Sequence, residues 1–234
     1  MLFEFVYIKK YGRNFDEMKK LDFDVVLFDL DGTLTDSVDG IINAVKYACE
    51  KIGVRQPDKE ELIEFIGPPM TESFASHFGL TGQKLDEAIK QYHIYYAERG
   101  WKENKVFDGI DSALKCLKDK GKTLGLCTNK SEIYAKEIMD FFGLSKYMDF
   151  VGGSSYEENR TVKWQVIDYV IKNLNVSDLK KAVMVGDRHY DVEGANAVGI
   201  KTIGVTFGYG TRDELEKAGA MTVVDTPKEI CELF

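Results

Sequence analysis

Short apolar runs recur along the chain, and between them the apolar positions change to helical spacing. Asp24-Val25-Val26-Leu27-Phe28 is a nearly continuous apolar run that ends in Asp29. Such a run suits a strand buried on both faces, as in a parallel sheet covered by helices. The pattern returns at Thr123–Cys127, Ala182–Val185 and Thr202–Val205, and more weakly at Phe150-Val151 and Thr222–Val224. Between the runs, Ile110, Leu114 and Leu117 share a helical face. Tyr134, Ile138 and Phe141 share another, in a helix over 132–142 stopped by Gly143, and a third helix covers Val166–Leu174. Strands alternating with helices predict an α/β fold with a doubly wound parallel sheet.

One stretch breaks the alternation. From Val38 to Trp101 the spacing is helical throughout, with Ile41, Ile42, Val45 and Ala48 on one face and Leu85, Ala88, Ile89, Tyr92 and Tyr96 on another. Gly67-Pro68-Pro69 interrupts it, since proline does not suit a helix interior. The stretch predicts an inserted all-helical domain over 38–101, splitting an α/β core of 21–37 and 102–234. An insert following a parallel strand leaves from the carboxyl edge of the sheet, where ligands bind, and is placed to act as a lid. Residues 1–20 read as an N-terminal extension, with Met18 as an alternative start.

Composition narrows the class. A hydrophobic fraction of 44% and a charged fraction of 30% are those of a globular protein, and no run reaches membrane-spanning length. The net charge of -8 argues against a nucleic-acid polymer or an anionic membrane as partner. Cys49, Cys116, Cys127 and Cys231 are widely spaced and suggest no disulfide framework, so a reducing, cytoplasmic location is expected.

The first strand runs into Asp29-Leu30-Asp31-Gly32-Thr33-Leu34. Positions i and i+2 of an extended segment point the same way, so Asp29 and Asp31 can face one pocket, with Gly32 allowing a sharp turn beside them. Two adjacent carboxylates repel, which calls for a bound cation or a shared proton. A calcium loop does not fit, because its sixth and twelfth positions would be Leu34 and Gly40.

This segment resembles the first motif of the haloacid dehalogenase superfamily of phosphohydrolases. Three further segments match in order: Leu126-Cys127-Thr128-Asn129-Lys130, the lone Lys163, and Val185-Gly186-Asp187-Arg188-His189-Tyr190-Asp191. The insert resembles the family's C1-type helical cap on its Rossmann-like core. The resemblance implies Asp29 as nucleophile, Asp31 as acid and base, and Lys163 as the cation beside the nucleophile. It also implies phosphate binding by Thr128 and Asn129. A Mg²⁺ ion would be held by Asp29, Asp31 (through its backbone carbonyl) and Asp187, with Asp191 in support. The expected reaction is hydrolysis of a small phosphorylated metabolite through an aspartyl-phosphate. From about residue 22 to the C-terminus the chain resembles phosphoglycolate phosphatases and bacterial 5′-nucleotidases, so a phosphoglycolate-type substrate is expected, with a nucleoside monophosphate as the alternative. A sugar-phosphate mutase keeps both acids of the first motif. A non-catalytic binding module would have lost a motif residue, and here all are present. Monomer and homodimer are both open. A nucleotide needs a base-stacking wall, for which the cap tyrosines are candidates, and phosphoglycolate needs a cation for its carboxylate, for which Arg188 is the one nearby candidate; His189 is left without a role.

Overall fold

The computed structural model describes residues 20–66, 68–155 and 157–234. The expected extension over 1–20 lies outside them apart from Lys20.

Six parallel strands form the main sheet in the order β5-β4-β1-β6-β7-β8. They are β1 (Val25–Phe28), β4 (Thr123–Ser131), β5 (Phe150–Ser154), β6 (Ala182–Gly186), β7 (Lys201–Val205) and β8 (Thr222–Val224). Every apolar run read from the sequence is therefore a strand of this sheet. The period-two alternation of each strand sorts its side chains to opposite faces. Val26, Phe28, Leu124, Leu126, Val183, Val185, Ile203 and Val205 belong to one core, shared with helices α5 (Ile110–Asp119), α6 (Glu132–Phe141) and α10 (Pro227–Glu232). Val25, Leu27, Cys127, Ala182 and Met184 belong to a second core on the other face, with α7 (Lys163–Asn173) and α8 (His189–Val198). A further helix, α9 (Arg212–Ala218), buries Leu215 against Val192 and Val223. The chain leaves β1 for β4 and β5 on one side, then crosses to β6, β7 and β8 on the other. Ligands of such sheets bind where the strand order diverges, here at the carboxyl ends of β1, β4 and β6.

Between β1 and β4 lie α1 (Val38–Ile52), α2 (Lys59–Glu64), α3 (Met70–Phe78) and α4 (Gly82–Tyr95), the last continuing as a π-helical turn over Tyr96–Gly100. These helices have a core of their own, built on Ile41, Val45, Ala48, Leu62, Phe65, Phe74, Ala88, Tyr92 and Tyr96. The chain crosses to and from this insert through a two-stranded antiparallel ribbon that the sequence did not disclose. It is made by β2 (Thr35–Asp36) and β3 (Lys105–Val106). Just above it Gly40 faces Gly100, and a Cβ on Gly40 would lie 2.0 Å from the Gly100 carbonyl oxygen. The two crossings touch backbone to backbone, which only glycine permits.

Two expectations are corrected. Cys116 of α5 and Cys231 of α10 form a disulfide, with Cα atoms 6.2 Å apart, while Cys49 and Cys127 are free and buried. A sequence separation of 115 hides this pairing until the two helices are packed together. Cysteine spacing therefore lends no support to a reducing compartment; among the described residues, no helix is long and apolar enough to cross a membrane. Phe141 is not a core residue: it is 56% exposed and packs edge-on against Trp101, while Ala135, Ile138 and Met139 carry the buried face of α6.

Candidate active site

Each motif of the sequence reaches the same edge of the sheet. Asp29 and Asp31 follow β1, Thr128 and Asn129 sit late in β4, and Asp187 follows β6; all but Asp187 line one pocket together with Lys130, Lys163 and Asp191. Lys163 is the first residue of α7 and reaches the site because α8 makes room for its stem. A Cβ on Gly194 would come within 2.6 Å of the Lys163 Cγ.

The carboxylates of Asp29, Asp187 and Asp191 converge, with one oxygen from each lying within 4.8 Å of the others. Lys163 Nζ lies 2.7 Å from Asp29 Oδ1 and 2.7 Å from Asp191 Oδ1, and it donates to the Cys127 carbonyl at 3.0 Å. Asp191 divides its work: its second oxygen accepts the Arg188 N–H at 3.1 Å, capping α8. Asp187 accepts the Thr33 hydroxyl at 3.2 Å and the Tyr209 N–H at 2.8 Å. Gly32, with φ of 85°, and Gly208 allow this close approach; a Cβ on Gly32 would lie 2.2 Å from Asp187 Oδ2.

The electrostatics call for more positive charge. Three carboxylates against one ammonium leave two negative charges in a nearly dry site. Burial pushes the Asp29 carboxyl up to about 6, against the pull of Lys163, with Asp191 and Asp31 adding repulsion. Burial, then Asp191 and Asp29, hold Asp187 well above the carboxylate range. Burial also works against the Lys163 charge, yet Asp191 and Asp29 together keep that lysine above its ordinary value. Hard oxygen donors carrying two uncompensated charges suit a small divalent cation such as Mg²⁺. The Asp31 side chain is not in this trio: its Oδ2 lies 2.6 Å from Lys130 Nζ. Asp191, expected only as support, is in it.

Thr128 is buried, and its Oγ1 accepts the Lys130 N–H at 3.2 Å, so the hydroxyl proton remains for a phosphate oxygen. Asn129 Oδ1 is buried without a partner in the protein; as an acceptor it does not itself hold an anion, which only the Asn129 amide N–H can do. Ser131 and the N-terminus of α6 complete a setting for an anion.

Residues 26–205 match the sequence profile of the haloacid dehalogenase-like hydrolases. The chain belongs to that family. Over 209 residues it is 39% identical to a tyrosine-protein kinase, PtkA, of Mycobacterium tuberculosis, covering 89% of this chain and 70% of the relative. It is 36% identical to a 5′-nucleotidase of Pseudomonas aeruginosa, covering 81% and 86% of the two chains. A crystal structure described as a predicted phosphatase from Clostridium acetobutylicum superposes with a TM-score of 0.83 at 40% identity, covering 90% of this chain and 97% of that one. This haloacid dehalogenase-like hydrolase is a phosphatase.

Four residues around the hydrolase's site were left without an assigned role in the sequence. Lys130 ends a motif yet carries no role there. Tyr209 donates its N–H to Asp187 and its hydroxyl to Asp36 at 3.0 Å, while the same hydroxyl accepts the Ser37 N–H at 2.8 Å. It thereby ties the Asp187 loop to the start of the insert. Arg188 faces Glu214 at 2.9 Å and donates to the Ile66 carbonyl of the insert at 3.0 Å. His189 also lies 2.8 Å from Glu214. The spacing of Gly208 and Gly210 after β7 was the one available signal, since both glycines press on Asp187.

Proposed function

We propose that the enzyme hydrolyses a nucleoside monophosphate, or a small monoester with a similar aromatic leaving group, through an aspartyl-phosphate on Asp29. One observation carries this choice over phosphoglycolate. The Lys and Arg side chains lining the pocket already face carboxylates: Lys130 faces Asp31, Lys163 faces Asp29 and Asp191, and Arg188 faces Glu214. A second carboxylate on the substrate would have to displace one of these. The insert instead contributes Phe65, Pro68, Met70, Ile89, Tyr92 and Tyr96 to the pocket, with Tyr134 from the core beside them. Aromatic and apolar walls receive a base by stacking.

In the first step an Asp29 oxygen attacks phosphorus, the bond to the ester oxygen breaks, and that oxygen takes the proton from Asp31. In the second, water attacks phosphorus and gives its proton to Asp31. The bond to Asp29 breaks, inorganic phosphate leaves, and both carboxyl groups return to their starting states. Lys163 offsets negative charge beside the nucleophile, and Thr128 and Asn129 hold phosphate oxygens. Mg²⁺ would be held by Asp29, Asp187 and the Asp31 backbone carbonyl, with Asp191 beside them. When bound it supplies positive charge next to the phosphoryl oxygens. We take residues 38–101 as the cap that encloses the leaving group, and residues 21–37 with 102–234 as the core.

Phosphate release from nucleoside monophosphates, phosphoglycolate and sugar phosphates, with Mg²⁺ and with a chelator, tests the assignment. Nucleotides are expected to exceed phosphoglycolate in kcat/KM by about tenfold or more, the scale of a well-filled apolar subsite. The opposite order would return the substrate to phosphoglycolate.

The acid cluster also sets a pH dependence for the metal. Because burial lifts Asp29 to about 6 and Asp187 higher than its ordinary value, protons compete with Mg²⁺ below neutrality. The Mg²⁺ concentration for half-maximal activity is expected to rise on the order of tenfold per pH unit below pH 6 for each proton displaced. A requirement constant from pH 5 to 7 would contradict metal binding at these carboxylates.

A further inference from the structure

Lys130 stands where three parts of the site meet. Its N–H is held by the Thr128 hydroxyl, its Nζ lies 2.6 Å from Asp31 Oδ2, and the same Nζ sits over the Tyr96 ring, 4.9 Å from the centroid. Its side chain is only 8% exposed. The 2.6 Å contact with Asp31 makes the two a buried ion pair. Asp31 Oδ1, by contrast, is buried without a partner in the protein. Lys130 thus takes one oxygen of Asp31 and leaves the other for the ester oxygen or the attacking water.

The third contact gives this arrangement a condition. Tyr96 belongs to the insert, in the π-helical turn that ends where Gly100 meets Gly40. Single π turns in otherwise α-helical segments are frequent at functional sites. Tyr96 stacks on Tyr92, with ring centroids 5.6 Å apart, which fixes the face it turns to the ammonium. A cation over a desolvated ring face is held there by the ring quadrupole, so the ring favours the lysine rotamer that reaches Asp31. If the insert swings away, Lys130 loses one of its two anchors.

We propose that Lys130 is a positioning residue that sets the acid–base carboxylate of Asp31 and, through Tyr96, makes that setting depend on the insert being seated on the core. The inference rests on the aspartyl-phosphate reading above. Its two half-reactions separate with p-nitrophenyl phosphate as substrate. Nitrophenolate leaves without needing a proton, whereas breakdown of phospho-Asp29 needs Asp31 to take a proton from water.

The test is a rapid-mixing measurement on the full chain with Mg²⁺, following nitrophenolate and phosphate separately. In Lys130→Met, first-turnover nitrophenolate release is expected to stay within about threefold of the parent, while phosphate release falls about 100-fold, the lower end of acid–base contributions. A nitrophenolate burst then precedes a slow steady state. Tyr96→Leu is expected to give the same imbalance at about tenfold, and Tyr96→Phe, which keeps the ring face, to give a clearly smaller imbalance than Leu whatever either does to substrate binding. Equal slowing of both halves, or no slowing, in Lys130→Met overturns the role of Lys130. Should that variant fail to fold by thermal unfolding, the Tyr96 pair decides: equal behaviour of Leu and Phe overturns the coupling. A parent enzyme that releases no nitrophenolate would instead sink the phosphatase mechanism on which the inference stands.

Discussion

Asp29→Asn is expected to lower turnover by at least about 10⁴-fold with Mg²⁺ present, and at the same time to raise the melting temperature of the metal-free protein. The first effect follows from chemistry, because an amide oxygen is a poor nucleophile and the covalent route has no other carboxylate at the start of the line. The second follows from the crowded charges. A carboxyl with a folded value of about 6 and an ordinary value of 3.8 binds its proton more tightly when folded. Stability therefore falls as pH rises between the two values, and the full penalty is present at pH 7. That penalty is roughly 3 kcal/mol by the conversion of pKa to free energy. An isosteric neutral side chain removes it while Lys163 keeps Asp191 as a partner. Activity assays and thermal unfolding in chelator at pH 7 check both halves. Retained turnover would dismiss Asp29 as nucleophile, and a lowered melting temperature would show that the cluster is not strained.

Lys163→Met should be damaging in both respects. Lys163 is the only cation within ion-pair distance of Asp29 and Asp191 among the described residues, and it is 5% exposed. Removing one partner of a buried ion pair costs about 3–5 kcal/mol, because the remaining charge stays buried and unpaired. The loss is expected to be largest in chelator and smaller in saturating Mg²⁺, since the ion offsets the same carboxylates. Turnover should fall by about 10³-fold even when the protein is folded and metal-loaded, the scale for removing a preorganised charge from a transition state. Equal destabilisation with and without Mg²⁺ would separate the lysine from the metal site.

The strands were legible because their buried runs are short, apolar and each ended by a turn or a helix pattern. Asp29, Asp31, Thr128, Asn129 and Asp187 stand at strand ends and Lys163 and Asp191 in the first turns of α7 and α8; the resemblance of their motifs singled them out, and the structure brings all seven to one edge of the sheet. What stayed hidden depends on packing between distant segments. The β2–β3 ribbon is two residues on each side, too short to show alternation. The disulfide joins helices far apart in sequence. Phe141 has the right spacing for a buried face but sits where α6 turns toward the insert and meets Trp101. Lys130 and Tyr209 gain their roles from partners on other elements, and neither leaves a periodic trace.

The contact of Gly40 with Gly100 bears on how such enzymes diversify. The insert has its own apolar core, so its pocket wall can drift without loosening the sheet that carries the acids. Its two ends cannot drift independently, because a side chain on Gly40 would run into the Gly100 carbonyl and push the crossings apart. Recombination between relatives therefore has a natural seam below the glycines, at Asp36 and Lys105, where the exchanged piece brings both crossings with it. A chimera joined inside α1 would pair one parent's outgoing chain with the other's return, and would inherit a specificity wall with no fixed stance above the acids.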